Sequence, residues 1–76
     1  MTNDAVDFVI HYDSMLDQLK DQLDPKFHPV WLRFRYLDPH DLVSPEMTFG
    51  SYENMVHHLA MLIWVEYIDH GHSLEN

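Results

Sequence analysis

The sequence predicts a small α+β domain: a helix–β-hairpin–helix with both helices packed on one face of a short antiparallel sheet. Three observations carry that prediction. Apolar residues recur at helical spacing between Ala5 and Leu23, eight residues from Val30 to Leu37 alternate in character, and a nearly continuous apolar stretch follows Ser51. At 76 residues the chain reads as one domain, 1–76, near the size at which a single core just holds a fold together. It contains no cysteine, so neither disulfides nor thiolate metal sites can supplement that core.

The first helix is predicted over residues 3–23. Thr2 or Asn3 can cap it, Asp4 and Asp7 suit the positive end of the helix dipole, and Asp24-Pro25 stops it. At about 100° per residue, Ala5, Phe8, Tyr12, Met15, Leu16, Leu19 and Leu23 share one face, which is a core stripe. Val6 and Ile10 fall outside that stripe, so the first half of the helix is more apolar than one buried face requires.

After the loop "DPKFHP", the run "VWLRFRYL" has strand composition. One face would carry Val30, Leu32, Phe34 and Tyr36, the other Trp31, Arg33, Arg35 and Leu37. "DPHD" is a turn signal, and a second, shorter strand is predicted within residues 42–49, interrupted by Ser44-Pro45. Because a two-stranded sheet is marginal by itself, a third strand borrowed from another chain is part of this expectation.

Ser51 caps the last helix, predicted from Tyr52 to about Asp69 with Gly71 as its stop and "HSLEN" as a frayed tail. Its wheel has two apolar arcs. One gathers Tyr52, Met55, Val56, Leu59, Ala60, Leu62, Ile63 and Tyr67, and the other, roughly opposite, gathers Met61, Trp64, Val65 and Ile68. The second arc needs a partner of its own, because small monomers seldom leave such a patch in water. Burial within the monomer, a homodimer seam through this helix, or a surface for a different protein would each satisfy it. Glu66 falls within the first arc: if buried it calls for a cationic or hydrogen-bonding partner, Arg33, Arg35 or His70, and otherwise it reaches solvent from near the helix end.

Thirteen acidic residues face four basic ones, for a net charge of −9. That balance excludes direct nucleic-acid binding, which draws on positive charge, and favours a basic protein partner. Asp13, Asp17, Asp21 and Asp24 form an acidic stripe on the outer side of the first helix, joined by Asp38, Asp41 and Glu46 from the hairpin. Carboxylates there are spaced about 5–6 Å along the axis, comparable to phosphates along one DNA strand, so DNA mimicry is one reading and a solvated polar face the other.

Seven histidines would carry the net charge from −9 to −2 if all were protonated. Asp7–His11, Glu53–His57 and Glu66–His70 are each four residues apart, yet no known metal-binding spacing is met, and no metal or other cofactor is expected. His57 and His58 read as solvent-facing or interfacial. No nucleophile motif or glycine-rich phosphate loop is present, since only Gly50 and Gly71 are available. The chain is expected to have no enzymatic activity. It carries no signal-peptide pattern and its longest apolar run, Leu59 to Val65, is too short to span a membrane, so a soluble, cytoplasmic protein is expected.

These features combine into a small acidic binding protein that is expected to dock on a basic protein, such as a nucleic-acid-processing or defence protein, and to inhibit or modulate it. Asp13, Asp17, Asp21, Asp24, Asp38 and Asp41 would steer the encounter, and Met61, Trp64 and Ile68 would anchor it. In size and charge it resembles phage-encoded inhibitors and antitoxin-like proteins as a broad class. A structural or adaptor subunit that assembles through the apolar last helix is the alternative, followed by a histidine-based metal or pH sensor.

Overall fold

In the computed structural model, which describes residues 4–70, every regular element is helical. The order is α1 (Asp4–Ile10), α2 (Tyr12–Gln22), a 3₁₀ turn (Pro25–Phe27), α3 (His28–Phe34), a second 3₁₀ turn (Pro39–Leu42) and α4 (Tyr52–His70). No strand occurs among the described residues, which overturns the α+β prediction and its antiparallel sheet.

The predicted first helix is present as two segments that meet at His11. That residue leaves helical geometry at φ −94°, ψ 6°, although its own N–H still donates to the Asp7 carbonyl and its carbonyl accepts from Met15. Phe8, Tyr12, Met15, Leu16 and Leu19 are buried, so the predicted stripe faces the core through both segments. Leu23 turns extended, at ψ 148°, and ends α2 just before Asp24-Pro25.

The largest departure is at Val30 to Leu37. This run forms α3 and a short tail, not a strand. The buried residues are Val30, Trp31 and Phe34, spaced i, i+1, i+4 as on one helix face. A strand would have buried Leu32 and Tyr36, which are exposed, and would have turned Trp31 outward. Eight residues cover about two helical turns or one strand, so the apolar pattern in this window satisfies both periods. Two features favour the helix. Pro29 sits in its first turn, where its missing N–H costs nothing. A helix also satisfies its own backbone, whereas a lone hairpin would leave two open edges.

Residues 42–49 likewise form no strand. Val43 is extended at φ −134°, ψ 152°, but it pairs with nothing ladder-like, and the segment is a loop held at its ends. At one end Asp38 caps the second 3₁₀ turn by accepting from the His40 N–H at 2.9 Å. At the other, the Asp4 carboxylate accepts from the Phe49 N–H at 2.6 Å and the Gly50 N–H at 3.4 Å, while the Phe49 ring stacks on Phe8 with centroids 5.7 Å apart. Gly50 takes φ +82°, the left-handed turn that releases the chain into α4. Ser51 caps α4 as predicted, its hydroxyl accepting from the Asn54 N–H at 3.1 Å. Gly71, the predicted tail and the predicted Thr2 or Asn3 cap lie outside the described residues.

The buried side chains of α1, α2, α3 and α4 form one hydrophobic cluster. Met55, Val56, Leu59 and Ile63 are the α4 contribution, so one arc of this helix packs inward and the other does not.

Candidate docking surface

With Tyr12, Met15, Leu16 and Leu19 facing the core, the opposite side of α2 presents Asp13, Asp17 and Asp21 to solvent. The stripe is exposed, but its members are not equivalent. Asp17 pairs with Arg35 at 3.2 Å. Asp24 caps the first 3₁₀ turn, accepting from the Lys26 N–H at 3.0 Å. Asp38 holds the N–H and ring Nδ1 of His40, and the backbone N–H together with the ring holds its carboxyl below the usual carboxylate range. Asp13, Asp21 and Asp41 are exposed and have no such bond among the described residues.

The few cations near the stripe are already occupied. Lys20 Nζ lies over the Trp31 ring at 5.6 Å and the Arg35 guanidinium over it at 5.5 Å, with His28 stacked on the same ring. Arg33 pairs with Glu66 at 3.2 Å, which answers the need for a cation at that position on the apolar face of α4.

The outward arc of α4 is exposed as a contiguous strip: Met61 is 50% exposed, Trp64 53%, Val65 45% and Ile68 46%. Along one side of it runs a shallow groove of about 320 Å³, lined by His57, Ala60, Met61 and Trp64 from α4 and by Leu23 and Phe27 from the α2–α3 corner. Phe27 is fixed there edge-on to Tyr67, with centroids 4.9 Å apart, and Lys26 lies over both rings. Leu23 also lines a second hollow, of about 260 Å³, together with Lys20, Asp21, Asp24 and His28. The acidic end of α2 and the apolar strip of α4 therefore adjoin, through Leu23.

Met61 and Trp64 line this groove, and Ile68 extends the strip one turn further. Asp21 and Asp24 line the adjoining hollow, Asp13 and Asp17 lie farther up α2, and Asp38 and Asp41 sit at the second 3₁₀ turn. Sequence reasoning missed Leu23 and Phe27 as part of this surface. Leu23 belonged to a core stripe and Phe27 to a loop, and nothing local shows that the corner between them opens toward α4.

A separate apolar hollow of about 260 Å³ lies on α1, lined by Val6, Val9 and Ile10 against His40, Val43 and Pro45. Here the excess of apolar residues outside the core stripe was the legible signal.

The histidines divide. His57 lines the groove as an exposed residue. His58 is turned inward, against the prediction that it faces solvent or an interface, and packs on Phe8 and Phe49 with ring centroids 5.8 and 5.1 Å away. Its Nε2 is buried without a hydrogen-bond partner among the described residues. His11 sits edge-on to Tyr52. Among the described residues no three His, Asp or Glu side chains converge as metal ligands would, and no helix is long and apolar enough to cross a membrane. His72 lies outside them. No known protein family, curated protein or solved structure matches the chain.

Proposed function

We propose that this is a non-catalytic docking protein that binds a basic protein and inhibits or modulates it, using the outer face of α2 together with the apolar strip of α4. The observation that carries the reading is the junction at Leu23. An acidic face and an exposed apolar strip share an edge, which is the composition of an interface that steers by charge and holds by apolar anchors. The net charge of −9 points to a partner of opposite sign.

The carboxylates support contact with separated Lys or Arg side chains more than imitation of a nucleic-acid backbone. Asp17 is paired and Asp24 is a cap, which leaves Asp13 and Asp21, eight residues and so about 12 Å apart along the axis. Lys20 and Arg35 lie among them.

The test is capture of partners from the host lysate by the tagged protein and by the Asp13→Lys/Asp21→Lys variant, washed at low and high salt. Both side chains are exposed, and reversing them breaks no ion pair. A basic protein retained by the parent at low salt, and lost in a variant that melts normally, is the expected result. An identical set of partners on both proteins would end the role given to α2. If the charge-reversed variant keeps every partner while Trp64→Ala loses them, the adaptor reading, carried by the four exposed apolar side chains of α4, takes over.

A further inference from the structure

We infer that the groove beside α4 receives a basic amphipathic helix of the partner protein. This rests on the docking reading above and names the occupant of its apolar half.

The mode of recognition follows from what the surface offers. No sheet edge exists among the described residues, so strand addition is unavailable. What is exposed is a helix-borne strip, Met61, Trp64, Val65 and Ile68, at spacings of i, i+3, i+4 and i+7. That is about 10 Å, or two turns, of helix. The groove between this strip and the Leu23–Phe27 corner is open along its length, and a second helix laid in it would present apolar anchors at the same spacing.

The charge around the strip decides between a foreign helix and a second copy of this chain. On the α4 wheel, Glu53 continues the strip one turn before His57, and Asp69 follows Ile68. Asp21 and Asp24 line the hollow next to the groove, together with Lys20, which is held over the Trp31 ring. Lys26 is held over Phe27 and Tyr67 beside the groove, and Arg33 is paired with Glu66 on α4. Parallel or antiparallel, an α4–α4 seam sets two copies of this rim side by side. Either arrangement also joins two bodies of charge −9. A helix with Lys or Arg flanking its apolar stripe meets the same rim with opposite sign.

The probe is a synthetic helix of about 18 residues made of leucine and lysine, with leucines at helical spacing, which matches the length of α4. Its controls are a scrambled peptide of the same composition and a leucine–glutamate counterpart. Trp31 is buried and Trp64 exposed, so a blue shift of tryptophan emission reports on the strip itself. Calorimetry gives affinity for the variants Trp64→Ala and Met61→Lys, both at exposed positions.

The expected result is one leucine–lysine helix per chain, a blue shift, affinity that falls with salt, and a loss of about thirtyfold in Trp64→Ala. Equal binding of the scrambled peptide would overturn the groove while leaving charge-driven docking on α2 intact. Equal binding of the leucine–glutamate helix would overturn the basic character of the occupant. No binding of any peptide, with a stable dimer in sedimentation that Trp64→Ala dissociates, would give the groove to a second copy.

Discussion

Tyr12 and Trp31 hold the α2–α3 contact from opposite sides. Each ring is buried, and each spends its one polar hydrogen on a backbone carbonyl of the other helix: Tyr12 OH to Phe34 O at 2.6 Å, Trp31 Nε1 to Leu16 O at 2.7 Å. Burial, with the charge of Asp13 adding to it, pushes the Tyr12 hydroxyl up to about 12. The unfolded chain therefore loses this proton at lower pH than the folded one. The stability it contributes is complete below pH about 10, the ordinary tyrosine value, and is lost as pH rises through about 12. Tyr12→Phe should cost about 1 kcal/mol near neutrality and reduce the alkaline loss, as followed by denaturant melts from pH 8 to 12. A variant with the parent's full alkaline slope would show that other groups set it. Tyr12 was legible as a core residue because its stripe spans several turns. Trp31 was not, because in a short window its place depends on which period is chosen.

At the scale of the element, α3 makes the choice of period testable. Leu32→Glu changes a side chain that a strand would bury and the helix exposes, so it should shift stability by no more than about 0.5 kcal/mol in a urea melt. Trp31→Ala, on the face a strand would turn outward, should cost about 3–5 kcal/mol and unfold much of the protein at room temperature. The reverse ranking would restore the hairpin. The entry to α4 offers a second case. At Gly50 an added Cβ meets nothing closer than the Asn54 side-chain nitrogen, at 3.8 Å, so space is not the constraint. The φ of +82° is, and Gly50→Ala should destabilise by about 1 kcal/mol through the backbone alone. The helix N-terminus at Ser51 was readable from its capping residue. The loop before it was not, because it is pinned by Asp4, 45 residues away in sequence from Phe49.

For the whole molecule, the excess of acid over base sets both a cost and a use. A chain of net charge −9 repels itself when folded, so screening by salt should raise its melting temperature between about 10 and 300 mM NaCl. Asp13→Lys/Asp21→Lys, which takes the net charge to −5, should melt no lower than the parent and respond less to salt. A lower melting temperature in the variant would mean that these carboxylates stabilise the fold and are not free for a partner. What the sequence determined by itself was whatever repeats over several turns or needs no geometry. The inward faces of α1–α2 and α4, the surplus apolar arc at Met61, Trp64 and Ile68, and the sign of the surface are of that kind, because a stripe sustained for 11 to 19 residues admits one period. Only the tertiary structure decided that Val30 to Leu37 is helical, that His58 turns inward, and that Leu23 and Phe27 open a groove beside Trp64. Each of these depends on contacts between residues far apart in the chain: the carbonyls that receive Tyr12 and Trp31, the rings that enclose His58, and the corner that α4 packs against. A local pattern of eight residues cannot encode which distant carbonyl or ring will be there to meet it.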